Sequence, residues 1–200
     1  VAVAETSEDG RSARSQRTRD AVVESLLAWL RDGNLRPTAK DIADRAGISV
    51  RSVYVHFDDL DDLFCAAAQR QGQELAGLIR EIPIDQAFEA RLEQLVAQRA
   101  RAFERVMPIK RAAALQEPFS KTLSMLLDGM RRYQRAEIER VFAAEIERIP
   151  VAERMPALRA ADLLAVEETW SYLRTHGRLT IDETVATVTV GLRAILRSDA

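Results

Sequence analysis

The stretch Gly47–Phe57, GISVRSVYVHF, decides how this chain is read. A glycine stands between two short segments of helical pattern. The second segment interleaves Ser49, Arg51, Ser52, Tyr54 and His56 with Val50, Val53, Val55 and Phe57. Upstream, Pro37-Thr38 opens a helix with Thr38 as N-cap and Asp41 three residues on. Ala39, Ile42, Ala43 and Ala46 form its apolar face, and Gly47 stops it where a left-handed residue carries no Cβ strain. Ser49 caps the next helix, which runs to about Phe57. Ala43 lets two helices approach, Gly47 turns sharply, and Ile48 and Val53 face the first helix. These are the requirements of a helix-turn-helix. In such a unit the second helix lies in the DNA major groove with its amino-terminal residues at base edges. Val53 and Phe57 then point inward, while Arg51, Ser52, Tyr54 and His56 point out. Spacing alone leaves a second possibility open, a helical hairpin inside an all-α core with ordinary surface charges.

The totals restrict the choice. Of 200 residues, 47% are apolar, enough for a substantial core, and the formal charge is −2. Nucleic acid must therefore be met by a local basic patch. One exists between Gly10 and Phe57: nine cations (Arg11, Arg14, Arg17, Arg19, Arg31, Arg36, Lys40, Arg45, Arg51) against five acids (Asp20, Glu24, Asp32, Asp41, Asp44). The single cysteine, Cys65, excludes an internal disulfide and a CxxC knuckle, which suits a reducing cytoplasm. Its apolar neighbours make it buried and inert. No stretch reaches the roughly 18 apolar residues of a membrane helix.

Everything reads helical. Residues 1–16 are polar and charged, the composition of a disordered arm. Helical period starts near Arg17, with Ala21, Val22, Ser25, Leu26, Trp29 and Leu30 on one face, and ends at Asp32-Gly33-Asn34. A fourth helix starts at Asp58-Asp59 and runs on through Leu75, Leu78 and Ile79. A helix from Phe88 breaks near Pro108, and another spans from about Pro118 to Ile149. Pro150 and Pro156 bracket a loop, Leu158–Thr175 forms one helix, and Thr180 caps the last. TVATVTV (184–190) alternates like a strand, but Val185, Val188, Leu192 and Ile195 keep helical spacing.

The run TAKDIADRAGISVRSVYVHFDDLDDL resembles the DNA-binding domain of the tetracycline-repressor (TetR) family of bacterial transcription regulators. Thr38, Ile42, Ala43, Ala46, Gly47, Ser49, Ser52, Tyr54, His56, Phe57 and Leu63 carry the likeness, which covers about residues 17–65. The resemblance implies an all-α chain: a flexible arm (1–16), a three-helix helix-turn-helix DNA-binding domain (17–65), and a larger helical ligand-binding and dimerisation domain (66–200). It implies a homodimer on a near-palindromic double-stranded operator, released by a small molecule of unknown identity. By the same likeness Thr38 holds a phosphate, Arg51 and Ser52 meet bases, and Tyr54 and His56 hold backbone phosphates. Ser49 and Lys40 complete the expected contact set. Family members often carry a lysine where this chain has Leu60, among Asp58, Asp59, Asp61 and Asp62. Lys40 or the arginines of the arm are the available substitutes; the alternative for the arm is an unbound tail.

In the carboxy-terminal part, Leu163, Val166, Trp170 and Leu173 form one stripe, and Val185, Val188, Leu192 and Ile195 another. Both suit a four-helix dimer interface or burial within the subunit. Pocket candidates are Phe103, Met107, Phe119, Leu123, Met125, Leu126, Met130, Tyr133 and Trp170; side chains of these types more often fill an ordinary core. Glu167 and Glu168 are expected to face solvent.

His56 and His176 are the only histidines, and no HExxH, ExxH pair or phosphate loop occurs. No cofactor, metal site or catalytic group is expected. The alternative function is a helical ligand-binding module that acts through a protein partner without an operator.

Overall fold

The computed structural model describes residues 5–197, and of 5–11 the backbone alone. Among these residues there are ten α-helices and no strand: α1 Glu5–Arg31, α2 Ala39–Ala46, α3 Val50–His56, α4 Leu60–Ala76, α5 Phe88–Gln116, α6 Lys121–Val141, α7 Ala143–Arg148, α8 Val151–Leu164, α9 Glu167–Thr175 and α10 Ile181–Leu196. A 3-10 turn, Glu117–Phe119, separates α5 from α6. The all-α expectation holds.

The chain forms two compact units, Val1–Gln73 with Pro108–Leu126, and Glu74–Met107 with Leu127–Ala200. The first unit therefore takes in a segment that the sequence reading assigned to the regulatory half. Its core joins Val22, Leu26, Leu27 and Leu30 of α1 to Ile42 and Ala43 of α2, Val53 of α3, Phe57, and Leu63, Phe64 and Ala67 of α4. Ile109 and Ala112 of α5 belong to the same core. Nothing in the sequence from 17 to 65 signals that the carboxy-terminal end of α5 completes this domain.

The second unit has its own core. It includes Leu92, Leu95, Val96, Phe103, Ile138, Phe142, Trp170, Val188 and Leu192. Two buried arginines brace it. Arg91 forms an ion pair with Glu145 at 2.7 Å and donates to the Val141 carbonyl. Arg99 donates to the Ala165 carbonyl at 2.6 Å and the Gln134 carbonyl at 2.7 Å, and pairs with Glu137 at 3.3 Å. Gly191 packs on the Leu164 side chain: a Cβ there would lie 2.7 Å from Leu164 Cδ1 and would displace the tip of that side chain.

Several expected boundaries move. α1 already runs from Glu5, through most of the stretch expected to be an arm; residues 1–4 lie outside the described residues. Its exposed turns are linked by Gln16 to Asp20 and by the Thr18 hydroxyl to the Arg14 carbonyl, and extending a formed helix is far easier than starting one. α4 ends at Ala76, before Leu78 and Ile79. α5 continues through Pro108 because buried residues on both sides, Val106 and Ile109, outweigh the lost donor. The expected helix from 118 to 149 is two helices, α6 and α7.

Pro156 lies inside α8 rather than at a loop edge, and Arg154 secures the helix start by donating to the Ile149 and Glu147 carbonyls. The single helix expected from 158 to 175 is two. Arg99 takes the Ala165 carbonyl just where α8 stops, a long-range bond with no local sequence signal. TVATVTV lies in α10, with its capping box formed by Thr180 and Glu183.

Candidate nucleic-acid interface

The geometry of the helix-turn-helix follows from three short-range devices. Thr38 and Asp41 form a reciprocal capping box: the Asp41 amide donates to Thr38 Oγ1 at 3.2 Å, and the Thr38 amide donates to Asp41 Oδ2 at 2.8 Å. Gly47 sits at φ 68°, ψ 32°, and its amide reaches back to the Ala43 and Asp44 carbonyls. Ser49 caps α3, its hydroxyl accepting from the Ser52 amide at 3.1 Å. The Trp29 indole donates to the Asp41 carbonyl at 3.0 Å and so fastens α2 to α1.

α3 buries Val53 and the following Phe57 and turns its other face to solvent. Arg51 and Tyr54 are exposed, as expected. So are Val50 and Val55, which the sequence reading counted with the apolar stripe; Val55 is 71% exposed. Helical spacing sets Val55 beside Arg51 and Val50 beside Tyr54. Ser52 and His56 are half-buried on the flank, and the Ser52 hydroxyl already bonds Ser49 Oγ at 2.9 Å. Thr38 is exposed, but both its amide and its hydroxyl are engaged by Asp41. That hydrogen bonding holds the Asp41 carboxyl below the usual carboxylate range.

Charge at this face is sparser than the residue count. Lys40 pairs with Asp44 at 2.6 Å, which raises its pKa. Arg45 pairs with Asp32 at 2.6 Å and lies over the Trp29 ring, and Arg31 pairs with Glu24 at 2.7 Å. Arg19 turns towards α3 and stacks on Phe57. Among the described residues, Arg14, Arg17, Arg36 and Arg51 are exposed and make no ion pair. The Arg11 side chain lies outside the described residues. Leu60 is half-buried against the first core, so the position where family members often carry lysine serves packing here. The neighbouring Asp59 caps α4, accepting from the Asp62 amide at 2.8 Å.

Residues 33–67 match the family model described as "Bacterial regulatory proteins, tetR family". Over this segment the chain is similar to the tetR family. The matched segment begins at Gly33 and contains α2, the Gly47 turn, α3 and the start of α4.

Solved structures extend the likeness in fold. A tetR-family transcriptional regulator from Streptomyces coelicolor is similar over 92% of this chain and 82% of its own, with 23% identity and a TM-score of 0.72. A transcriptional regulator from Rhodococcus sp. Rha1 is similar over 92% and 96%, with 16% identity and a TM-score of 0.70. A TetR transcription regulator from Haloarcula marismortui covers 92% and 98%, with 17% identity and a TM-score of 0.68. At these identities the likeness is one of fold. A comparison with curated protein sequences found no match.

Outside the matched segment, the remaining candidates fall in different places. Phe103 and Trp170 are buried in the second core with ring centroids 6.2 Å apart, and the Trp170 indole donates to Glu104 at 2.8 Å. Met107, Leu126 and Met130 are half-buried, Leu123 is fully buried, and Tyr133 is exposed. Phe119 is 84% exposed, beside Met125 in an open depression that also contains Ser120, Lys121 and Ser124. Glu168 is exposed as expected, whereas Glu167 is buried at the first turn of α9.

Of the interface candidates, Val188 and Leu192 are buried in their own subunit's core, and Leu173, Val185 and Ile195 pack partly against it. Val166 is half-buried and Leu163 is exposed. Tyr172 and Val190 are also exposed, and neither was singled out from sequence. Among the described residues no group of three or more His, Cys, Asp and Glu side chains could hold a metal, and no helix is long and apolar enough to cross a membrane. Burial raises the Cys65 thiol pKa.

Proposed function

We propose that this chain is a cytoplasmic transcriptional regulator that binds a near-palindromic operator as a homodimer and is released by a small molecule. The observation that carries the reading is the solvent-facing surface of α3. Arg51 and Tyr54 stand exposed on it, over a turn built by the Thr38, Gly47 and Ser49 devices. A free guanidinium suits guanine edges or phosphate, and a phenol reaches phosphate oxygens. Thr38, Lys40, Ser49, Ser52 and His56 surround them. Lys40 would exchange its exposed Asp44 partner for phosphate at small cost, since exposed pairs contribute little.

A two-fold operator requires a two-fold protein. Exposed Leu163 and Val190, on α8 and α10, supply apolar surface for a second copy. In the binding state the two α3 helices would stand about one DNA turn apart, roughly 34–36 Å. An effector that favours another spacing weakens the complex in proportion to its preference between the two states.

The test is binding of the purified chain to DNA from upstream of its own gene, against scrambled DNA, over a salt series, with mass measured in solution. Selective, salt-sensitive binding by a dimer supports the reading. If a genome-wide fragment selection also yields no selective DNA, the reading fails. A protein partner then becomes the better account.

A further inference from the structure

The recognition helix α3 is seven residues long, too short to be stable by itself. Its amino end is held by Ser49 and its inner face by Val53 and Phe57. Its carboxyl end meets a side chain from 37 residues earlier. Arg19 Nη1 donates to the His56 carbonyl at 2.6 Å, and the same guanidinium lies 4.2 Å from the Phe57 ring centroid. Phe57 is 1% exposed, so the stack rests on a fixed ring.

We infer that Arg19 is a positioning residue for DNA recognition, holding the carboxyl end of α3 at the angle the groove requires; this rests on the DNA-binding reading above. Three effects act at one point. The cation faces the negative end of a helix dipole. Its N–H fills a terminal carbonyl left open by the helix. Its flat face covers the aromatic ring that anchors α3 to the core. Arg51, Tyr54 and Val55 all lie within two turns of that tether, so a small tilt of α3 moves every one of them. Arg19 is part-buried against the domain, unlike the exposed Arg14 and Arg17 before it on α1, and its assigned role is to orient α3 rather than to neutralise phosphate.

Phosphate contact and positioning leave different traces in a salt series. Removing one phosphate contact lowers affinity for all DNA and reduces the salt slope by about 1. Removing a positioning residue lowers selective affinity and leaves the slope unchanged. Full-length wild type, Arg19→Ala and Arg19→Lys are compared on selected and scrambled DNA, with amide hydrogen exchange of α3 in the free proteins.

Arg19→Ala is expected to lose about tenfold in selective affinity, the size of one lost charge-assisted bond. Its salt slope and its affinity for scrambled DNA stay at the wild-type values, and exchange at the carboxyl end of α3 speeds up. Arg19→Lys, which keeps a donor and a cation, recovers most of the selectivity; it also decides the matter if the alanine variant does not fold. Wild-type selectivity in Arg19→Ala, a slope lower by about 1, or no selectivity in a folded Arg19→Lys overturns the inference while leaving the DNA reading intact. An unselective wild type overturns both.

Discussion

Thr38 and Asp41 hold each other reciprocally at the start of α2, at 2.8 Å and 3.2 Å between backbone amides and side-chain oxygens. This makes the entry to the helix-turn-helix sensitive to acid. The Thr38 hydroxyl and then its amide hold the Asp41 carboxyl below the ordinary range. A lowered folded-state pKa contributes stability above the unfolded value, and that contribution is lost as pH falls through the folded value. Thr38→Val should therefore be less stable than wild type near neutrality. The gap in thermal midpoint should narrow as pH drops below about 4, the ordinary aspartate value. A gap that stays constant through acid would separate the cap from Asp41's charge.

Gly47 is required by its backbone and not by crowding. It has φ +68°, and a Cβ there would meet nothing within 4 Å. Gly47→Ala should cost about 1–2 kcal/mol, the price of a left-handed L-residue. Gly47→Asn should cost less, because asparagine tolerates that region. Denaturant unfolding measures both. Equal losses for the two variants would mean that the turn is limited by something other than φ.

Val55 is 71% exposed beside Arg51, and on a helix lying in the major groove its methyl groups can meet a thymine 5-methyl. Replacing thymines one at a time by deoxyuridine in the selected operator removes that methyl alone. At one position the loss should be about 1 kcal/mol for wild type, near the transfer energy of one methyl group. It should vanish in Val55→Ala. Additive losses at every position would show that Val55 touches no thymine.

Arg91 and Glu145 are buried partners, each side chain 7% exposed, at 2.7 Å. Glu145→Ala strands the guanidinium and should cost about 3–5 kcal/mol. The double change Arg91→Met with Glu145→Leu should recover much of that, because apolar pairs of similar volume replace such bridges well. Chemical unfolding of the three variants gives the comparison. A double variant no better than the single would show that the pair is worth more than its desolvation.

The recognition unit was legible because its determinants are local. Thr38 and Asp41 lie three residues apart, Gly47 follows the last apolar residue of α2, and Ser49 bonds the amide of Ser52. Period and capping are properties of neighbours along the chain, and they gave α2, the turn and α3 with nearly correct ends. The all-α class and the helical state of 184–190 followed from the same periodicity.

Tertiary structure decided whatever depends on a residue far away. Arg99 ends α8 from 66 positions off through the Ala165 carbonyl, and burial around Pro108 carries α5 through a residue that should break it. Ile109 and Ala112 join the amino-terminal core, Val188 and Leu192 turn into their own subunit, and Arg19 reaches from α1 to hold the His56 carbonyl. Sequence settles local hydrogen bonding, because φ, ψ and the nearest side chains fix it. Which face of a helix is buried, and which cation is left free, depends on packing, where every partner is chosen by the fold as a whole.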